Sequence, residues 1–160
     1  MLHGARIAVI GESVPEDGNY ELAYQLGCFL GESNCTVFCG GLGGIMEAVS
    51  KGVKEGGGTT IGILPGLDKN DANPYIDIPV VTGIGYARNS IVANNGDVVI
   101  AVGGQFGTLS EIAYALHSQI PVIAINSWSL HKKEEIPANY HPVNTLNTLK
   151  EKLLLLLPQE

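Results

Sequence analysis

The chain has 160 residues, 45% of them hydrophobic and 16% charged, which fits one domain with a packed core. Nine Lys and Arg against sixteen Asp and Glu leave a net charge of −7, so a nucleic-acid partner, which would want a basic stripe, is not expected. The leucine run at 153–157 is five residues long, far short of the ~18–20 that a membrane span needs, so no membrane partner is expected.

Strand and helix signals alternate along the chain. Residues 6–10 are a short apolar run ending at Gly11. Residues 20–32 carry Ala23, Leu26, Gly27 and Leu30 at helical spacing. A second strand at 36–39 leads through Gly40-Gly41-Leu42-Gly43-Gly44 into a helix at 45–54, with Ile45, Ala48, Val49 and Val53 repeating. A third strand covers 59–64 and is closed by Pro65-Gly66. Residues 67–75 read as a polar loop, 77–82 as a fourth strand, and 86–95 as a helix capped by Gly96. A fifth strand at 97–102 leads through Gly103-Gly104-Gln105-Phe106-Gly107 into a helix at 108–119. A sixth strand covers 121–125, an irregular stretch runs from 127 to 142, and a helix at 144–157 closes the chain. That last helix has leucine on more than one face, the pattern of a helix buried all round, as against a partner subunit.

The strands are continuous apolar runs, which want both faces covered. With strand–helix alternation this predicts an α/β fold over residues 1–160: one doubly wound, mainly parallel, Rossmann-like sheet with helices on both faces. No signal peptide is recognisable, since residues 1–6 run directly into the first strand. The three cysteines, Cys28, Cys35 and Cys39, form no CxxC pair and have no His at metal-ligand spacing, so they read as reduced, buried thiols. A cytoplasmic protein with no bound metal of its own is the expectation.

Two glycine-rich turns, each launching a helix, dominate the functional reading. Glycine lets backbone N–H groups approach an anion, and the following helix aims its positive end at the same place. Gly40, Gly41, Gly43 and Gly44 in the first turn, and Gly103, Gly104 and Gly107 in the second, therefore predict a ligand with a phosphate-like group. Thr108-Leu109-Ser110-Glu111 reads two ways: as a capping box, or as a hydroxyl on the phosphate with a carboxylate one turn deeper in the pocket. Arg88 follows another glycine-containing turn, Gly83-Ile84-Gly85-Tyr86-Ala87, where it is placed for a bidentate contact with phosphate or carboxylate. Gly11-Glu12-Ser13 is not the dinucleotide fingerprint, because Pro15, Asp17 and Gly18 delay the helix. NAD-dependent chemistry is not expected, and Ser13 is either a ligand donor or a plain turn serine. His3, His117, His131 and His141 are scattered, with no nucleophile arrangement, and Trp128 packs either a ligand ring or the core.

The two turns, Gly40-Gly41-Leu42-Gly43-Gly44-Ile45-Met46 and Gly103-Gly104-Gln105-Phe106-Gly107-Thr108-Leu109-Ser110-Glu111, resemble those of the Lonely Guy superfamily, often mislabelled lysine decarboxylases. With Thr82-Gly83-Ile84-Gly85-Tyr86-Ala87-Arg88-Asn89, the chain is most similar to the molybdenum cofactor carrier branch, over residues 5–126. That resemblance implies a homo-oligomer, a dimer or a tetramer. It also implies that the chain binds, protects and passes on a phosphorylated molybdopterin carrying molybdenum, with apo molybdoenzymes as recipients and no chemical conversion. The site would comprise Gly11, Ser13, Gly40, Gly41, Gly43, Gly44, Arg88, Gly103, Gly104, Gly107, Thr108 and Glu111. The Lonely Guy enzymes instead cleave the N-glycosidic bond of a nucleoside 5′-monophosphate, using an arginine and a glutamate that fall on Arg88 and Glu111. Against that alternative, this chain inserts one residue in the second turn, has Asn89 where the enzymes have Lys, and has Ser110 where they have the first Glu of a pair.

Overall fold

The computed structural model describes residues 2–157. Seven strands form one sheet: β1 (Arg6–Gly11), β2 (Thr36–Cys39), β3 (Thr59–Leu64), β4 (Ile78–Val81), β5 (Val98–Val102), β6 (Val122–Ile125) and β7 (Tyr140–Val143). They lie in the order β4-β3-β2-β1-β5-β6-β7, and every pairing is parallel. Five α-helices connect or close them: α1 (Asn19–Glu32), α2 (Ile45–Glu55), α3 (Asn89–Asn94), α4 (Phe106–His117) and α5 (Leu146–Leu156). This is the doubly wound Rossmann-like sheet that the apolar runs predict.

Each strand feeds two cores because successive side chains point to opposite faces. In β1, Ile7 and Val9 join residues of α1, α2 and α5, among them Leu26, Val49 and Leu153. Ala8 and Ile10 join Val92 of α3 and Ile112 of α4 on the other face. The chain winds outward from β1 through β2 and β3 to β4, then returns to β5 on the other side of β1. β1 and β5 are therefore the point where strand order reverses, with Gly11 paired to Val102 at their carboxyl ends. A crevice opens at such a switch point because the flanking connections leave in opposite directions.

Several elements differ from the sequence reading. The irregular stretch ends in β7, an edge strand that carries Pro142 and runs one residue past it. Its short polar sequence hides it, and an edge is where a sheet tolerates proline. The helix expected at 86–95 is a 3-10 turn at Gly85–Arg88 followed by the short α3. The loop at 67–75 holds a 3-10 turn, Lys69–Asp71, whose preceding Asp68 carboxylate accepts the Asn70 N–H at 2.8 Å. Within the chain, the closing helix buries Leu149 and Leu153 fully and leaves Leu155 78% exposed. No helix among the described residues is long and apolar enough to cross a membrane.

Candidate functional site: a crevice at the β1–β5 switch point

A cavity of about 590 Å³ lies where the carboxyl ends of β1, β2 and β5 meet. β1 and the turn after it contribute Ile10, Gly11, Glu12 and Ser13; the turn after β2 contributes Gly40 and Leu42, with Met46 from α2. The 3-10 turn and α3 bring Tyr86, Arg88 and Asn89, and α4 with its leading turn brings Gln105 through Thr108, Ser110 and Glu111. Of the predicted residues, Gly11, Ser13, Gly40, Arg88, Gly107, Thr108 and Glu111 line this space together. Gly41, Gly43, Gly44, Gly103 and Gly104 do not line it; they shape the turns behind it.

Arg88 and Glu111 are the charged pair of the crevice floor. Both are buried, and Arg88 Nη1 stands 3.9 Å from Glu111 Oε1. Arg88 Nη1 also donates to Asn89 Oδ1, and Nη2 donates to the Gly40 carbonyl at 3.4 Å. Its Nε is buried without a partner. Burial pushes the Glu111 carboxyl up to about 8, and the attraction of Arg88 only partly opposes it. The same burial lowers the Arg88 pKa, with Glu111 acting in the opposite sense. At 3.9 Å the two groups are too far apart for a charge-assisted hydrogen bond, so desolvation wins at the carboxyl. Burial thus shifts Glu111 toward its protonated form, beside the cationic Arg88 on the crevice floor.

The capping-box reading of Thr108 and Glu111 does not survive. α4 starts two residues earlier than expected, at Phe106, with Gln105 preceding it and no side-chain cap. Thr108 is thereby the third residue of the helix, 3% exposed, and Glu111 lies a turn deeper facing Arg88. The first amides of a helix have no carbonyl one turn back to meet. In α4 these are Phe106, Gly107 and Thr108, and all three residues line the crevice. The positive end of the α4 dipole therefore lies at this wall of the crevice.

The residue that sequence reasoning passed over is Glu12. It is 6% exposed and lines the crevice. Its Oε1 accepts from the Glu16 N–H at 2.8 Å and from Asn19 Nδ2 at 2.9 Å; its Oε2 accepts from the Gly104 N–H at 2.7 Å. Burial alone would raise its pKa, but the donors of Asn19, Glu16 and Gly104 outweigh it and hold the carboxyl below its ordinary value. Its signal in the sequence is an acidic residue directly after the first strand, with Asn19 ahead of it at the start of α1. Trp128 does not line the crevice: its ring packs 5.7 Å from that of Phe106, its Nε1 donates to the Gln105 carbonyl at 3.2 Å, and it borders a smaller cavity of about 260 Å³. Among the described residues, no three His, Cys, Asp or Glu side chains gather as a metal-ligand cluster. Cys35 and Cys39 are buried, Cys28 is half-buried, and burial pushes the Cys35 thiol up to about 11.

The family model for the SLOG cluster4 family matches residues 5–152. The chain belongs to that family. Among solved structures, it is similar to the molybdenum cofactor binding protein of the phototrophic bacterium Rippkaea orientalis, with 34% identity, a TM-score of 0.89, and coverage of 99% of this chain and all of that one. The molybdenum cofactor carrier protein of Chlamydomonas reinhardtii is 30% identical with a TM-score of 0.85, over 97% of this chain and 99% of its own. A cytokinin riboside 5′-monophosphate phosphoribohydrolase of Arabidopsis thaliana is 32% identical over 114 residues, and the match spans 69% of this chain but 43% of that enzyme. The Rippkaea and Chlamydomonas proteins share this fold over nearly the whole chain.

Proposed function

We propose that this member of the SLOG cluster4 family binds the molybdenum cofactor as cargo, shields it and delivers it unchanged to apo molybdoenzymes. The observation that carries this reading is the joint presence, in one 590 Å³ crevice, of the open amides at the start of α4 and a buried arginine with an unpartnered Nε. Such a wall is suited to a phosphoryl group, because backbone amides, helix dipole and guanidinium all favour the anion there. Thr108 adds a hydroxyl beside those amides. The apolar part of the wall, from Ile10, Leu42, Met46, Tyr86 and Phe106, is suited to a flat ring system. Full-length likeness to the Rippkaea and Chlamydomonas proteins supports the pterin cargo over other phosphorylated molecules. A cytoplasmic homo-oligomer belongs to the same proposal. The test is anaerobic titration of the purified protein with molybdenum cofactor, followed by transfer to an apo molybdoenzyme. The proposal predicts binding below micromolar and recovery of enzyme activity; failure to bind at micromolar concentration rejects it.

One observation favours a second reading, a nucleoside 5′-monophosphate phosphoribohydrolase. A carboxyl group held protonated up to about pH 8 is suited to give a proton to a departing base, and Glu111 is such a group beside an arginine suited to hold the phosphate. Free base released from AMP, and lost in Glu111→Ala, would raise this reading above the first.

A further inference from the structure

The second glycine turn offers fewer amides to a ligand than its sequence promises. The Gly103 N–H donates to the Ile125 carbonyl at 3.0 Å, which ties the turn to the end of β6. The Gly104 N–H donates to Glu12 Oε2 at 2.7 Å. In dinucleotide-binding folds the amides of a glycine-rich turn, there the one after the first strand, hold a pyrophosphate with the helix start that follows. Here the chain's own carboxylate takes one of those places. The substitution is built in: Gly103 has a φ of +60°, and a Cβ there would lie 2.6 Å from Glu12 Oε1, so turn and carboxylate fit only because that residue is glycine. Asn19, which donates to Glu12, accepts in turn from Asn126 Nδ2 at 2.9 Å, so the carboxylate is anchored from the start of α1 and, through Asn19, from the residue after β6.

We propose that Glu12 is a specificity-determining residue of this crevice: it is a resident anion on the Gly104 amide that leaves room for one phosphoryl group and turns away a second. This rests on the reading of the crevice as a phosphoryl site. The amides of Phe106, Gly107 and Thr108 with Arg88 receive the single phosphoryl group. A second one, extending along the turn toward β1, meets a like charge and an amide already bonded. Ligands with one phosphate are accepted, and pyrophosphate-bearing ligands such as dinucleotides and nucleoside diphosphates are excluded.

The test uses inorganic phosphate and pyrophosphate as probes, titrated calorimetrically at matched ionic strength into wild type, Glu12→Gln and Glu12→Ala, with melting curves to confirm folding. Wild type is expected to bind phosphate at least tenfold more tightly than pyrophosphate. Glu12→Ala is expected to gain at least tenfold for pyrophosphate while changing less than threefold for phosphate; Glu12→Gln is expected to gain part of that. A merely structural role for Glu12 would weaken both probes together and would overturn the proposal, as would equal affinity of wild type for the two. If Glu12→Ala does not fold, the wild-type ratio and Glu12→Gln decide the matter. Binding of neither probe to wild type would overturn the phosphoryl reading of the crevice itself, and this proposal with it.

Discussion

The two glycine-rich turns look alike in sequence and do opposite work. In the first, glycine lets backbone pack on backbone. Gly44 has a φ of +67°, and a Cβ there would collide with the Glu12 carbonyl and lie 2.5 Å from the Ser13 carbonyl oxygen. The next amide, Ile45 N–H, donates to that same Glu12 carbonyl at 3.0 Å, and the Gly41 and Leu42 carbonyls accept from the backbone and side chain of Asn73 at 2.9 Å each. In the second turn, the glycines carry the chain past the Glu12 carboxylate, and the first residues of α4 line the crevice. Glu12 is common to both, its main chain serving one turn and its side chain the other. A glycine cluster after a parallel strand is therefore not by itself an anion site: the Gly103 and Gly104 amides are already bonded, to the Ile125 carbonyl and the Glu12 carboxylate, and what remains for a ligand is the start of α4.

The sharpest way to break this contrast is at its packed side. Gly44→Ala combines a left-handed backbone with a blocked Cβ and is expected to cost about 2–4 kcal/mol, a melting temperature lower by roughly 5–15 °C. A variant that melts like wild type would mean that the first turn is not a packing device. On the open side, Arg88→Ala removes the crevice cation, and cargo affinity is expected to fall about 100-fold, equivalent to about 2.7 kcal/mol. Equilibrium binding measures it, and a loss under threefold would take Arg88 out of the site.

A pH dependence sharpens the same comparison, because Glu111 belongs to the open side and its burial favours the protonated carboxyl. Its folded pKa, about 8, lies above the ordinary carboxyl value of 4.5. The folded state therefore binds more protons than the unfolded state between those values. The stabilising contribution of the protonated group is complete below 4.5 and declines as pH rises toward 8, with a slope of up to about 1.4 kcal/mol per pH unit. Urea melts of wild type and Glu111→Gln between pH 5 and 9 measure it as a difference, and the variant is expected to lack that decline. Parallel pH profiles would mean that Glu111 is ionised in the fold. The smallest effect is expected at Gly43, where φ is not positive and a Cβ would meet nothing within 4 Å. Gly43→Ala should change stability by less than about 0.5 kcal/mol, in contrast to its neighbour Gly44.

Much of the fold was legible because buried parallel strands are written as unbroken apolar runs rich in β-branched residues. Val98 to Val102 and Val122 to Ile125 are such strands, and all nine residues are buried. β7 was not legible, since an edge strand has no need of that signature and this one carries His141 and Pro142. At the site, the predicted members Arg88, Thr108 and Glu111 do line one crevice, because strand order brings the ends of β1, β2 and β5 together. The start of α4 was misplaced for a physical reason. Thr-x-x-Glu resembles a capping box, yet nothing in those four residues reveals that Phe106 and Gly107 are already helical. Glu12 was missed because its role depends on a turn 92 residues away, and no local pattern encodes that bond.

The most direct measurement is the molybdenum and pterin content of the protein after anaerobic loading with molybdenum cofactor and gel filtration, in wild type and Arg88→Ala side by side. Near-stoichiometric metal and pterin on wild type, falling to less than about a tenth on Arg88→Ala as the expected 100-fold loss in affinity implies, is the predicted result. Cofactor absent from wild type, or retained equally by both, would contradict the account.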